Sequence, residues 1–349
     1  MSEAISTGGA LERQARRPRA AEWNVLMALV GIAAIFEVLG WILYGQSFVW
    51  NAQRLYIIIL QVSIVGIIAV GVTQVILTGG IDLSSGSIVG ATAMIAMSFA
   101  QAGMRNGQDF TQAVFWAEGW VDLPVIVPLV VALACGLLAG VVNGALIAYT
   151  KIPPFIATLG MMVSARGVAN WWTKGQPVSN PTEAYTFFGN GLSGFMPVVT
   201  FLVLAALFQL ALTYTKYGKH TYAIGSNAEA ARISGINVER HLVLVYAIAG
   251  VLAAIAAVVV TSKNLTAQAS MGVMYELDAI AMAVIGGISL SGGRGSIIGT
   301  VLGALIFGVI ISGFTFLKID AFYQQMIKGV IIVGAVILDQ ARQRKRGRG

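Results

Sequence analysis

Long runs of uncharged apolar residues alternate with short polar or glycine-rich connections along almost the whole chain. A helix that crosses the hydrocarbon core of a bilayer needs about 20 apolar residues. The runs therefore predict a bundle of about ten membrane helices. The predicted helices are Val25 to Leu43, Tyr56 to Leu77, Ile88 to about Ala100, Leu123 to Thr150, Pro154 to about Trp172, Leu192 to Tyr214, Leu242 to Ser262, Tyr275 or Ala279 to Leu290, Ile297 to Leu317 and Phe322 to Leu338.

Two of these runs are interrupted by glycine and polar residues. The third follows a break at 79–87, which contains Gly79, Gly80, Asp82 and three serines. The eighth is short and is followed by the glycine-rich segment 286–295. The pattern leaves two interpretations open for the eighth run, a complete crossing that begins near Tyr275 or a partly re-entrant element.

The composition supports a membrane protein without a large soluble domain. Hydrophobic residues make up 57% of the 349 residues and charged residues only 11%. Soluble domains usually contain roughly 25% charged residues. The fold class expected is all-α, a polytopic transmembrane bundle. Cys135, the only cysteine, lies inside an apolar run, so an intrachain disulfide is excluded and a thiol function is not indicated.

The distribution of charge predicts which side of the membrane each loop occupies. Basic residues cluster in the tail 1–22, in the loop 215–241 and in the tail 339–349, whereas the loop 101–122 has more acidic than basic residues. Basic loops stay in the cytoplasm, so both termini and the 215–241 loop are predicted there, with residues 23–338 as the transmembrane domain. The net charge is +7, but the basic residues flank apolar runs, which argues against nucleic-acid binding.

The cytoplasmic loop contains the signature of a short helix with defined ends. Ser226 and Glu229 have the spacing of a capping box, alanines follow, and Gly235 stands where a helix C-terminus favours a left-handed residue. The sequence predicts a helix of about two turns outside the membrane with a face of small residues. Such a helix is suited to the groove of a partner protein; an ordinary interfacial helix is the alternative.

Glycines recur every four residues in two predicted helices. This spacing places small residues on one face and lets helix backbones approach closely. We expect these faces to pack within the subunit rather than at a seam between subunits. The residues are Gly136, Gly140 and Gly144 in the fourth helix and Gly295, Gly299 and Gly303 in the ninth.

Four motifs, in the same order, resemble the ribose/xylose/galactose/inositol permease family of ATP-binding-cassette (ABC) importers. The resemblance covers about residues 55 to 338; Ser85 and Ser226 stand where the family commonly has valine and glycine. The motifs are Gly79 to Ser84, Asn143-Gly144 with Ile152 to Gly160, Gly218 to Val238, and Tyr275 to Ala281 with Ile285-Gly286-Gly287.

The resemblance implies a permease in the bacterial inner membrane that works with partner proteins. These are a cytoplasmic ATP-binding subunit, which binds ATP and magnesium, a periplasmic sugar-binding protein, and a second permease copy, most simply an identical one. No cofactor, metal or catalytic residue is expected in this chain. The resemblance also implies that the 218–238 segment couples to the ATP-binding subunit through Gly218, Ala223, Gly225, Asn227, Ala230, Ala231, Arg232 and Gly235.

Polar residues inside the predicted helices are candidates for the translocation path, because ionisable groups at depth are costly. Some candidates also have a structural interpretation. Asp82 could cap a helix, and so could Glu276 and Asp278, whereas Asn143 could be a packing residue. Arg166 and Lys328 are expected to pair with these acids or to snorkel. The path candidates are Asp82, Ser84, Asn143, Phe155, Thr158, Glu276 and Asp278.

The energy source must lie in another chain or in an ion gradient, because no phosphate-binding loop of the G-x-x-x-x-G-K-[ST] type is present. An ion-coupled secondary transporter is the alternative to the ABC permease. An intramembrane enzyme is not supported, because the sequence shows no cluster of catalytic residues. The segments Phe314 to Phe316, Asp320 to Phe322 and Asp339-Gln340 resemble ribose- or inositol-type members. The sequence therefore predicts import of a monosaccharide or polyol.

Overall fold

A computed structural model describes residues 3–105, 108–109 and 120–346 and shows an almost entirely helical chain. The helices are α1 (Glu3–Tyr44), α2 (Ala52–Leu77), α3 (Ser85–Ser98), α4 (Ile126–Thr150), α5 (Pro154–Trp172), α6 (Glu183–Asn190), α7 (Met196–Tyr214), α8 (Lys216–Ser226), α9 (Ala228–Ile233), α10 (Val238–Asn264), α11 (Tyr275–Ile285), α12 (Ile297–Phe316) and α13 (Ala321–Arg346). Two small antiparallel ribbons join β1 (Met104–Arg105) to β2 (Gln108–Asp109) and β3 (Val178–Ser179) to β4 (Thr266–Ala267).

Six helices of the described chain are long and apolar enough to cross a membrane, namely α1 from Glu22 onward, α2, α4, α7, α10 and α12. The protein is therefore a polytopic helical membrane protein. The four other predicted crossings correspond to α3, α5, α11 and α13. With 11 residues, α11 is about 16 Å long and too short for a hydrocarbon core of about 30 Å. The eighth predicted run is thus an interrupted element rather than a complete helical crossing.

Two helices form the centre of the bundle. In the most apolar stretch of each helix, 67% of the residues of α2 and 72% of those of α10 are buried. Only 11% are buried in α1, which lies at the periphery. Helix α10 packs against α4, α2 and α3, and α2 packs in addition against α7, α11 and α12. Both central helices are continuous and rich in small and β-branched residues, so the shorter elements are organised around two uninterrupted rods.

Glycines in α4 allow its backbone to lie directly on α10. A side chain at Gly136 or Gly140 would collide with the carbonyl groups of Gly250 or Tyr246, respectively. Gly144 faces the backbone of Val243 in the same way. The prediction that this glycine ridge packs within the subunit is confirmed.

A second glycine contact joins α12 to α11. Gly299 and Gly303 lie against the carbonyl groups of Gly286 and Met282, so this ridge also packs within the subunit. Gly295, predicted as part of the ridge, precedes the helix and has a φ of +134°. It shapes the turn before α12 instead.

The helix ends differ from the predicted ones at both termini of the chain. Helix α1 begins at Glu3, within the segment predicted as a tail, and α13 continues to Arg346 through most of the predicted C-terminal tail. The amphipathic helix α6 was not predicted, because its eight residues contain neither an apolar run of spanning length nor a capping signature. Much of the predicted 101–122 loop lies outside the described residues.

Replacement of Gly140 by leucine should prevent the close contact of α4 with α10. Overpacking of a tight core costs about 1–3 kcal/mol, and here the obstacle is backbone that cannot turn aside. We expect a lower melting temperature and less monodisperse protein in detergent, measured by size-exclusion chromatography after heating. Gly31→Leu is the matched control, because no atom lies within 4 Å of a side chain built there; an equal loss in both variants would contradict the packing account.

Candidate functional site

Helices α8 and α9 form a compact unit between the membrane helices α7 and α10, which we call the coupling segment (residues 216–235). Asn227 separates the two helices with an extended backbone, and its Oδ1 accepts the N–H of Ala230 at 2.9 Å. The predicted cap at Ser226 is wrong, because Ser226 is the last residue of α8. Helix α9 has six residues, less than the two turns predicted. Gly235, at φ +86°, ends it as predicted.

The outer surface of α9 is exposed and carries one large apolar side chain. Ile233 is 82% exposed. Ala231 is only 4% exposed and lies in a small core with Ile224 and Val238. Part of the predicted small-residue face therefore points inward and holds the segment together, and docking of the exposed part on a partner stays a prediction. Of the eight predicted coupling residues, Asn227, Ala230, Arg232 and Gly235 are exposed, and Gly218, Ala223, Gly225 and Ala231 are half-buried or buried.

Ion pairs connect α9 to the membrane helices. Arg232 binds Glu229 at 2.9 Å and Glu239 of α10 at 2.6 Å. Lys151, just after α4, reaches the same Glu239 at 3.2 Å. Exposed ion pairs contribute about 0–1 kcal/mol each. These contacts therefore orient α9 more than they stabilise it.

Two tyrosines attach α8 to the bundle more firmly. The hydroxyl of Tyr217 donates to Oε1 of Gln74 in α2 at 2.7 Å. The hydroxyl of Tyr222 donates to the carbonyl oxygen of Gly295, before α12, at 2.8 Å. Burial raises the pKa of both hydroxyls, so both remain donors at neutral pH.

A buried group of polar residues lies where α3 begins; we call Asp82, Ser84, Ser85, Asn143 and Glu276 the polar centre. Oδ1 of Asp82 accepts the N–H of Ser84 at 2.8 Å and its hydroxyl at 2.6 Å. Nδ2 of Asn143 in α4 donates to the Ser84 hydroxyl at 2.8 Å. Asp82 thus satisfies a donor at the start of α3, as its interpretation as a cap predicts, and Asn143 joins α4 to the same point.

The start of α11 meets the start of α3 at the polar centre. The carboxylate of Glu276 and the carbonyl of Gly272 fill the space in which a side chain at Gly86 would lie. Arg166 of α5 donates to the carbonyls of Ala269 and Met271, the latter at 2.8 Å, and to the hydroxyl of Ser87 at 3.3 Å. It therefore fastens the loop before α11 to α3, and its charge lies close enough to Glu276 to attract that carboxylate.

Several buried polar atoms of the described residues have no hydrogen-bond partner. A buried polar atom without a partner costs about 1–3 kcal/mol. All but one belong to the polar centre or, in the case of Tyr246, lie beside Gly80, two residues before Asp82. The atoms are Ser85 Oγ, Thr92 Oγ1, Asn143 Oδ1, Tyr246 Oη and Glu276 Oε2.

The predicted path residues fall into two groups. Asp82, Ser84, Asn143 and Glu276 come together, and the Thr158 hydroxyl adjoins them through the carbonyl of Ile81 at 3.3 Å. Two others lie apart, because Phe155 is exposed on the outer face of α5 and Asp278 binds Lys328 of α13 at 3.0 Å. Sequence reasoning missed Tyr246, since a tyrosine in an apolar helix carries no signal of a polar neighbour.

Comparison with known proteins decides the family. Residues 54–336 match the family described as "Branched-chain amino acid transport system / permease component". The chain belongs to that family. It is a transport subunit of an ABC importer, with several passes through the inner membrane.

Curated relatives cover most of the chain. It is 44% identical to a ribose import permease protein of Bacillus subtilis (strain 168) over 287 residues, 81% of this chain and 83% of the relative. It is 36% identical to a ribose import permease protein of Escherichia coli (strain K12) over 92% of this chain and 94% of the relative. A galactose/methyl galactoside import permease protein of the same strain is 36% identical over 83% and 87%. No solved structure matches.

Loss of one partner of the Lys328–Asp278 pair should destabilise the attachment of α13. An isolated buried charge costs about 3–5 kcal/mol when its partner is removed, and the Asp278 side chain is only 12% exposed. We expect Lys328→Met to lower the melting temperature in detergent by several degrees. The double variant Lys328→Met with Asp278→Leu should recover most of the loss; equal or greater instability of the double variant would contradict the pairing account.

Proposed function

We propose that this chain is the permease subunit of an ATP-driven importer of a monosaccharide, with ribose and galactose as the first candidates. The relatives named for ribose and galactose import support the substrate class. The observation that carries the proposal is the coupling segment itself. An exposed, capped α9 bearing Ile233 is held on the membrane helices by α8, as a contact for a motor subunit requires. Polyols such as inositol stay a prediction from the sequence alone.

In the proposed mechanism this chain supplies the path and its partners supply the energy. ATP and magnesium bind to a separate cytoplasmic subunit, whose closure displaces α9. A periplasmic binding protein delivers the sugar, and a second copy of the permease completes the pore. Rocking of the membrane helices between two arrangements then exposes the path to one side at a time.

The polar centre is the proposed contact for the sugar within each subunit. Carboxylate, amide and hydroxyl groups can bind sugar hydroxyls, and three of these groups have an atom without a partner in the present state. Thr158 extends the centre toward the exposed Phe155 on α5. Asp278 is better explained by its ion pair with Lys328 than by contact with sugar.

For the topology we propose ten membrane passages with both termini in the cytoplasm. The six long helices supply six, and α3, α5, α11 and α13 supply the others, with α3 and α11 completed by non-helical segments. This count places the coupling segment on the same side as the termini. The basic residues of the 215–241 loop support this orientation.

An ion-coupled secondary transporter is the second candidate. Broken helices that start near buried acids, here α3 at Asp82 and α11 at Glu276, also occur in that class. Such a transporter has no use for an exposed, capped α9 outside the membrane, and the relatives named above are import permeases. We therefore rank it below the ABC permease.

Charge placed at Ile233 should uncouple the motor without unfolding the permease. The exposed side chain has no packing to lose, whereas a buried glutamate in the groove of a partner would cost several kcal/mol. We expect Ile233→Glu to abolish sugar-stimulated ATP hydrolysis by the chain reconstituted with its ATP-binding subunit and binding protein. Ribose and galactose are the sugars to test.

The matched control is Tyr214→Ser, which alters an exposed aromatic residue at the end of α7 outside the coupling segment. It should retain stimulation. Normal stimulation of ATP hydrolysis in Ile233→Glu, with correct membrane insertion, would contradict the proposed contact between α9 and the ATP-binding subunit.

Cysteine accessibility in intact cells tests the proposed topology. Replacement of Cys135, the only cysteine, by serine provides the background. Ser234→Cys in the coupling segment should react with a membrane-impermeant maleimide only after the cells are broken, and Ser193→Cys, between α6 and α7, should react in intact cells. Reaction of both positions from the same side would contradict the assignment.

A further inference from the structure

The last turn of α8 touches both non-helical breaks of the bundle at once. We call this contact the junction and define it by Tyr222, Gly225, Leu77, Gly293 and Gly295. The N–H of Gly293 donates to the carbonyl of Leu77, at the end of α2, at 2.9 Å. Tyr222 donates to the carbonyl of Gly295 at 2.8 Å. The two breaks are thereby bonded to each other, and the last turn of α8 is bonded to the second of them.

The junction is packed too tightly for any larger residue. A side chain at Gly225 would collide with the carbonyl of Leu77 and with the N–H of Gly293, which lies 2.5 Å from its ideal Cβ position. Gly292 and Gly293 have φ values of +83° and +68°, which only glycine adopts readily. Contact of backbone on backbone at this distance transmits displacement, because no flexible side chain lies between the parts.

Both breaks lead from the junction to the polar centre. Residues 78–84 run from the end of α2 to the start of α3. Residues 286–296 are joined to the end of α11, an 11-residue rod of about 16 Å whose first turn contains Glu276. A displacement of α8 therefore reaches the two sides of the polar centre by separate routes, one along the chain to α3 and one through α11.

The polar centre is sealed in this structure, although its groups are incompletely paired. Ser85 and Asn143 are each 1% exposed, and each has an atom without a partner. Unpaired atoms of this kind favour a second arrangement in which they meet water or a polar solute. The starts of α3 and α11 meet where Glu276 and Gly272 lie against Gly86, and a shift of α11 along its axis would move Glu276 away from Gly86.

We propose that the junction transmits the displacement of α9 to the polar centre and parts the starts of α3 and α11, with Tyr222 and Gly225 as positioning residues. The inference rests on the proposed function, because the displacement is supplied by the ATP-binding subunit. A second connection of α9 runs to α10, through the exposed ion pair of Arg232 with Glu239 and through the packing of Ala231 against Val238. That connection ends on an uninterrupted helix, whereas the junction ends on the two breaks themselves.

The test measures water access to the polar centre in the assembled importer. Ser85→Cys in the Cys135→Ser background is treated with a small hydrophilic methanethiosulfonate reagent, with and without a non-hydrolysable ATP analogue. We expect the labelling rate to change about tenfold between the two states and Tyr222→Phe to reduce that difference roughly fivefold, the effect of one ordinary hydrogen bond. Gly225→Ala should reduce it further.

The controls separate transmission from folding and from assembly. Ala93→Cys, buried in α3 away from the junction, should stay unlabelled in both states, and Tyr323→Phe, on an exposed tyrosine of α13, should leave the labelling difference intact. Co-purification shows whether the complex still forms in Tyr222→Phe. An undiminished labelling difference in both junction variants, or equal labelling of Ser85→Cys in both states, overturns the inference. Failure of the wild-type chain to bind an ATP-binding subunit instead overturns the proposed function, and the inference with it.

Discussion

The fold depends on how non-helical backbone is satisfied within a membrane bundle. Lipid offers no hydrogen bonds, so irregular segments at depth persist only where protein covers them. Here each break is paired internally. Asp82 accepts the N–H of Ser84, the N–H of Ser289 donates to the carbonyl of Arg294, and the N–H of Gly293 donates to that of Leu77 across the two breaks. The buried helices α2 and α10 provide the cover, and glycine contacts bring α4 and α12 close enough to complete it.

This constraint also explains why coupling segment and polar centre are linked. The breaks must also be covered on the side of the coupling segment, and the last turn of α8 does so with Tyr222 and Gly225. Because α8 covers both breaks, it is in contact with residues of both. The same contacts that satisfy the backbone of residues 77–84 and 286–296 thus join α8 to the two segments that lead to the buried carboxylates of Asp82 and Glu276.

Much of the architecture could be predicted from the sequence, because apolar length and glycine spacing are local signals. Close packing of α4 within the subunit follows from Gly136, Gly140 and Gly144, although not that its partner is α10, and the end of α9 follows from Gly235. What could not be predicted depends on three-dimensional proximity. Asn227, not Ser226, caps α9, because α8 extends through Ser226. Ala231 faces inward, because Ile224 and Val238 lie behind it. Tyr246 lies beside Gly80, although its neighbours in the sequence are apolar.

The central claim is that sugar moves through this chain at the expense of ATP hydrolysed by a partner. The most direct measurement is uptake of radiolabelled ribose and galactose into proteoliposomes that contain the chain and its ATP-binding subunit, with binding protein outside and ATP inside. The account predicts accumulation of one of these sugars that requires ATP and binding protein and persists when ionophores abolish proton and sodium gradients. Accumulation by the chain alone that follows an ion gradient would contradict it.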